Sequence, residues 1–125
     1  MPTEKEQIYV VDDDESICRS LGILLSTYAF TVGTFTSAKD FFDAVADNDS
    51  GCLILDIHMP ELDGWETLKR IVDSGSKRPV IIMSAEKNDR NRERAMKAGA
   101  AGYLRKPFSG EALVDLINIA VEKRR

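Results

Sequence analysis

Residues 52–56 read "CLILD", four apolar residues and then a carboxylate. A run this short and this continuously apolar suits a strand buried on both faces, the kind found in parallel sheets covered by helices. Residues 79–85, "PVIIMSA", repeat the pattern, and Ile8–Val11 is a third apolar, β-rich run. "FTVGTF" (30–35) and the start of "AGYLRKPF" (101–108) supply two weaker ones. Between them the apolar residues return at helical spacing. Ile17, Leu21, Leu24, Leu25 and Tyr28 predict a helix from near Glu15; Phe41, Phe42 and Val45 predict another, capped by Ser37. After the turn "PELDG" (60–64), Trp65, Leu68, Ile71 and Val72 mark a third, and the polar "NRERAMKAG" (91–99) a fourth that closes on Gly99. Ser109 caps a fifth through Leu113, Leu116, Ile117 and Ala120. Five strand–helix units in succession predict an α/β chain, a doubly wound parallel sheet with helices on both faces.

The totals agree with one globular domain over residues 1–125: 43% of the residues are hydrophobic and 30% charged. A net charge of −4 argues against this chain gripping nucleic acid through a basic face. No apolar run approaches the roughly 20 residues of a membrane helix, and "MPTEKEQ" at the start has no apolar signal segment, so a cytoplasmic location without membrane contact is expected. Cys18 and Cys52 sit in apolar segments outside any C-x-x-C pattern and read as reduced core residues.

Ligands of open parallel sheets bind outside the carboxyl ends of the strands. There the first strand delivers Asp12 and Asp13, the third Asp56, the fourth Ser84, and the fifth Lys106 followed by Pro107. Unpaired carboxylates so close repel one another, and burying them is costly. A hard divalent cation offsets that cost, because Mg²⁺ takes oxygen ligands and keeps several waters. A cation, a lysine, a hydroxyl and a carboxylate nucleophile are the parts of phosphoryl transfer. Asp56, ending a central strand, is the expected nucleophile. Alone, Asp12–Asp13 would be a solvated turn and Lys106 a surface lysine; the four strand ends together change that reading. No G-x-x-x-x-G-K-[ST] exists, which excludes a P-loop.

"VVDDDE" (10–15), "LILDIHMPELDG" (53–64), "PVIIMSAE" (79–86) and "AGAAGYLRKPF" (98–108) resemble, in order and spacing, the signatures of two-component response regulator receiver domains. The resemblance implies a flavodoxin-like (βα)5 three-layer sandwich, with the family's strand order 2-1-3-4-5. It implies that Asp56 accepts a phosphoryl group from a histidine kinase or phosphotransfer protein, with Mg²⁺ or Mn²⁺ bound. Asp13 would hold the cation directly, Asp12 largely through water, and the main-chain carbonyl of His58 would add a ligand. Asp14 falls outside the acidic pair and is expected at the start of the first helix, whose positive end suits a carboxylate. Ser84 and Lys106 would contact phosphoryl oxygens, Lys106–Pro107 would be cis, and Tyr103 would be the aromatic that moves with Ser84. His58 and Glu86 stand two residues beyond Asp56 and Ser84, where family members tune the lifetime of the phosphoryl group.

"YVVDDDES" (9–16), "GCLILDIHMPELDGWE" (51–66) and "AMKAGAAGYLRKPF" (95–108) resemble the receivers of FixJ-type transcription regulators, which carry a C-terminal helix-turn-helix domain. This implies a receiver cut from a longer regulator or a stand-alone one, with DNA contacted only through an output domain. The fourth helix, fifth strand and fifth helix form the expected switching face, for a homodimer or an output partner. On the last helix Val114 and Val121, beside Asn118, form a second apolar strip that is either core or dimer face. His58 reads as a partly exposed loop residue, Met59 and Trp65 as packing, and Gly64 as a close approach before the third helix. Two rivals remain: a Mg²⁺-dependent phosphatase or phosphotransferase using Asp56, for which no cap segment exists, and a phosphorylation-independent interaction module, for which the charged cluster is needless.

Overall fold

Each apolar run becomes a strand and each helically spaced segment a helix. The structure, a computed structural model, describes residues 6–59 and 63–124. In chain order the elements are β1 (Gln7–Val11), α1 (Glu15–Thr27), β2 (Thr31–Phe35), α2 (Ala38–Ala44), β3 (Cys52–Asp56), α3 (Gly64–Asp73), β4 (Val80–Ser84), α4 (Asp89–Lys97), β5 (Gly102–Arg105) and α5 (Gly110–Arg124). The five strands form one parallel sheet in the order β2-β1-β3-β4-β5.

Central position explains the strand compositions. β3 and β4, flanked on both sides and covered on both faces, are buried at every residue, whereas the edge strand β2 is buried at none. Strand alternation then divides the core in two. Ile8, Val10, Cys52, Ile54, Ile81 and Met83 face α1 and α5, where they meet Leu21, Leu25, Leu113 and Ile117. Val11, Leu53, Leu55, Val80 and Ile82 face the other way, against Phe41, Leu68, Ile71 and Ala95. Each Val, Leu, Ile, Phe or Met among them contributes about 1.5–3 kcal/mol on burial.

The helix starts follow from their caps. Asp14 accepts from the amides of Ser16 and Ile17, Ser37 from Asp40, Asp63 from Glu66, Asn88 from Arg90, and Ser109 from Ala112. Asn88 explains why α4 begins at Asp89, two residues before the start read from the sequence. Gly99, at φ +103, ends that turn in the left-handed region, and a Cβ there would also sit 2.9 Å from Val72 Cγ2.

One alternative is decided and two expectations change. Val114 and Val121 are 7% and 6% exposed and belong to the core, the first of the two readings, because α5 packs on α1 as well as on the sheet. They form no dimer strip; Ile119, 51% exposed, is the apolar residue α5 shows to solvent. Val72 and Tyr28, counted with helix core faces, are 44% and 47% exposed, and Tyr28 caps the end of α1. Val45 lies just past α2 as its C-cap. Part of the turn "PELDG", residues 60–62, lies outside the described residues.

Candidate phosphoryl-acceptor site

The carboxyl ends of the strands converge as expected. Asp12 follows β1, its main-chain N–H donating to Phe35 O of β2 at 3.1 Å. Asp56 is the last residue of β3, Ser84 the last of β4, and Lys106 follows β5 with its N–H donating to Ser84 O at 2.7 Å. Asp12, Asp56 and Ser84 are 1%, 4% and 0% exposed, while Asp13 is open to solvent. Ligand oxygens of Asp12, Asp13 and Asp56 lie within 4.8 Å of one another. Lys106 Nζ lies 2.9 Å from Asp12 Oδ2 and 3.8 Å from Asp56 Oδ2.

Three carboxylates against one ammonium leave a local charge that is negative when all three are ionised. The donor set is all hard oxygen and one member faces water, so the residues fit a divalent cation of the Mg²⁺ type. Electrostatics at Asp56 agree. Burial pushes its carboxyl above the ordinary value of 3.8, and the neighbouring charges of Asp12 and Asp13 add to that. The His58 N–H, donating to Asp56 Oδ1 at 3.2 Å, and the Lys106 charge act in the opposite direction.

Local geometry prepares each member. Asp12 Oδ1 accepts the N–H of Asp14 at 2.9 Å, which orients the buried carboxylate. Asp14 itself turns away from the cluster to cap α1. The Cys18 thiol donates to Asp12 O at 3.2 Å, so this buried cysteine braces the loop rather than reacting. Gly64 allows α3 to start against the end of β3: a Cβ there would lie 2.3 Å from Ile57 Cα and 2.7 Å from Asp56 O. Ser84 Oγ accepts the N–H of Glu86 at 3.0 Å, which leaves its own proton free to donate.

Tyr103 stands within β5 rather than at a strand end. It lies in the core beneath α4, 5% exposed, with the Arg92 guanidinium 5.4 Å from its ring centre. Its hydroxyl has no hydrogen-bond partner among the described residues. The Lys106–Pro107 bond is cis. His58 is half-exposed, and its Nε2 lies 2.9 Å from Glu86 Oε1. Asn91 of α4, unremarked in the sequence, donates its Nδ2 to Glu86 Oε2 at 2.9 Å. Polar residues in a charged helix carry no periodic signal of such a contact. Met59 and Trp65 pack on the core as read, with Arg94 4.0 Å from the Trp65 ring.

Residues 8–118 match the response regulator receiver domain family. The chain belongs to that family. Among similar proteins, a transcriptional regulatory protein FixJ of Bradyrhizobium diazoefficiens is 39% identical over 121 residues, which are 97% of this chain and 59% of the relative. The transcriptional regulatory protein TdiR of Thauera aromatica is 36% identical over 94% of this chain and 52% of its own. This receiver therefore spans between half and three-fifths of those relatives. A crystal structure of FixJ-N superposes with a TM-score of 0.87 at 30% identity, covering 96% of both chains. A full-length FixJ from B. japonicum gives 0.89 at 38% identity, with 98% of this chain and 61% of that one covered. The receiver fold and its strand order are thus shared with solved relatives, and so is membership of a signalling family rather than a classical enzyme family. Among the described residues no helix is long and apolar enough to cross a membrane.

Proposed function

We propose that Asp56 is the phosphoryl acceptor of a two-component signalling system. The observation that carries this reading is a 4%-exposed carboxylate at the end of a central strand, with two further carboxylates and an ammonium gathered around it. An Asp56 Oδ attacks the phosphorus of a phosphohistidine on a histidine kinase or phosphotransfer protein. The Oδ–P bond forms, the N–P bond breaks, and the histidine nitrogen leaves with the electron pair. Mg²⁺ or Mn²⁺, when bound, would supply neutralising charge for the phosphoryl oxygens. Asp12, Asp13, Asp56 and the His58 carbonyl are the residues that would hold it. Lys106 presents its ammonium and Ser84 its free hydroxyl proton to the oxygens of the new group.

The added charge draws Ser84 and Lys106 inward and biases α4, β5 and α5 between two arrangements, with Tyr103 following Ser84. That face then engages a second copy or an output partner. The domain over 1–125 serves as the receiver of a longer regulator with a C-terminal helix-turn-helix domain. The names and lengths of FixJ and TdiR support this, and DNA is contacted only through that output. The chain acts in the cytoplasm. It catalyses its own phosphorylation and dephosphorylation and turns over no external phosphoester.

Intact mass after incubation with Mg²⁺ and acetyl phosphate tests the reading. Wild type gains one phosphoryl group, and Asp56→Asn or omission of Mg²⁺ abolishes the gain. No gain in wild type, with no Mg²⁺ binding by calorimetry, would favour the phosphorylation-independent interaction module.

A further inference from the structure

Little apolar burial holds α4. Its buried residues are Asn91 and Ala95, against Leu113, Val114, Ile117, Ala120 and Val121 for α5. Polar contacts supplement this burial, and at the first turn one of them reaches Glu86. Asn91, 7% exposed, donates its Nδ2 to Glu86 Oε2 at 2.9 Å. The other oxygen, Oε1, lies 2.9 Å from His58 Nε2 on the loop after β3. The main chain of Glu86 is held as well, its N–H donating to Ser84 Oγ at 3.0 Å. His58 in turn donates its N–H to Asp56 Oδ1 at 3.2 Å. One carboxylate is thus forked between the loop after β3 and the first turn of α4, and its backbone is fastened to the hydroxyl beside the acceptor.

We infer that Glu86 is a positioning residue, a latch that ties the first turn of α4 to the loop after β3 and so holds the Ser84 hydroxyl in the observed arrangement. The inference rests on the reading of Asp56 as acceptor and Ser84 as the hydroxyl that answers it. Because the Glu86 N–H is bonded to Ser84 Oγ, a Ser84 that moves toward a group on Asp56 carries Glu86 with it. The fork spans a fixed width, from His58 on one side to Asn91 on the other, so such a movement breaks at least one arm. Breaking it frees the end of the one helix that apolar packing holds least. The latch thereby sets the resistance to switching and links it to the release of α4.

The test uses the full 125-residue chain. Amide hydrogen exchange over residues 84–97 is compared for wild type, Glu86→Ala, Glu86→Gln and Asn91→Ser, without phosphodonor. Serine matches asparagine in helix propensity, so a change in Asn91→Ser comes from the lost contact. Glu86→Ala and Asn91→Ser are expected to exchange severalfold faster at residues 86–95. Glu86→Gln, which reaches both arms, stays close to wild type. In the mass assay with Mg²⁺ and acetyl phosphate, Glu86→Ala gains its phosphoryl group severalfold faster than wild type. Unchanged exchange in Glu86→Ala, or Glu86→Gln exchanging as fast as Glu86→Ala, overturns the latch. An unchanged rate of phosphoryl gain overturns its link to Ser84. If wild type gains no phosphoryl group, the acceptor reading fails by itself and the exchange comparison still decides whether the latch exists.

Discussion

Lys106 and Asp12, 94 positions apart in the chain, meet at 2.9 Å, and the carboxylate of that pair is 1% exposed. The same ammonium lies 3.8 Å from Asp56 Oδ2, so one cation balances two buried carboxylates. Removing it leaves both without a positive partner in a low-dielectric setting. Lys106→Met is expected to lose about 2–3 kcal/mol in urea denaturation without divalent cation. Millimolar Mg²⁺ should restore much of the loss, since it supplies the missing charge. Equal losses with and without Mg²⁺ would separate Lys106 from the cation site.

Asp56 sets a pH dependence of stability. Burial first, and then the charges of Asp12 and Asp13, raise its pKa above the ordinary 3.8. Between that value and the raised one the native state holds a proton the unfolded chain has released. The stabilising contribution is therefore full below the ordinary value and is lost as pH rises through the window. Asp56→Asn should abolish this fall and be more stable than wild type at neutral pH without cation. Thermal unfolding from pH 3 to pH 8 (about the range that brackets a raised carboxylate) checks it; parallel curves would refute the assignment.

The consecutive aspartates divide their work. Asp14 accepts two amides at the start of α1, and Asp14→Ala should cost about 1 kcal/mol while leaving Mg²⁺ affinity near wild type. Asp13, solvent-exposed within the cluster, should show the reverse: Asp13→Asn keeps its stability and weakens Mg²⁺ binding in calorimetric titration. A large affinity loss in Asp14→Ala would show that the cap is also a ligand.

Gly64 is the tightest packing point near Asp56. A methyl group 2.3 Å from Ile57 Cα has no room, and both neighbours are backbone at the end of β3. Gly64→Ala should lose about 3 kcal/mol and slow phosphoryl gain, because Asp56 is displaced together with α3. Wild-type rates in a destabilised variant would show that the two effects are separable.

Arg78 anchors the opposite, amino-terminal edge of the sheet. Its guanidinium donates to Gly51 O at 2.6 Å, to Ala46 O at 3.4 Å and to Asp49 O, and Asp49 Oδ2 accepts from Tyr9 Oη at 2.6 Å. Arg78→Met leaves the buried Gly51 carbonyl and the part-buried Ala46 and Asp49 carbonyls without this donor and should cost about 3 kcal/mol. Mg²⁺ affinity, determined at the other edge, should stay unchanged; a parallel loss would couple the two edges.

Strands, helices and the residues at the strand ends were legible in the sequence, because apolar runs, helical spacing and capping residues report local chain geometry. "CLILD" and "VIIMS" announce central strands since residues covered on both faces admit nothing polar until the strand ends at Asp56 or Ser84. Which elements then press together is not local. Val114 and Val121 read more readily as core than as an outer strip, but only the packing of α5 against α1 places them inside. Likewise the fork of Glu86 between His58 and Asn91, and the grip of Arg78 on the loop before β3, join residues that share no periodicity. Hydrogen bonds across loops depend on where distant elements come to rest, a property of the whole fold rather than of any window of residues.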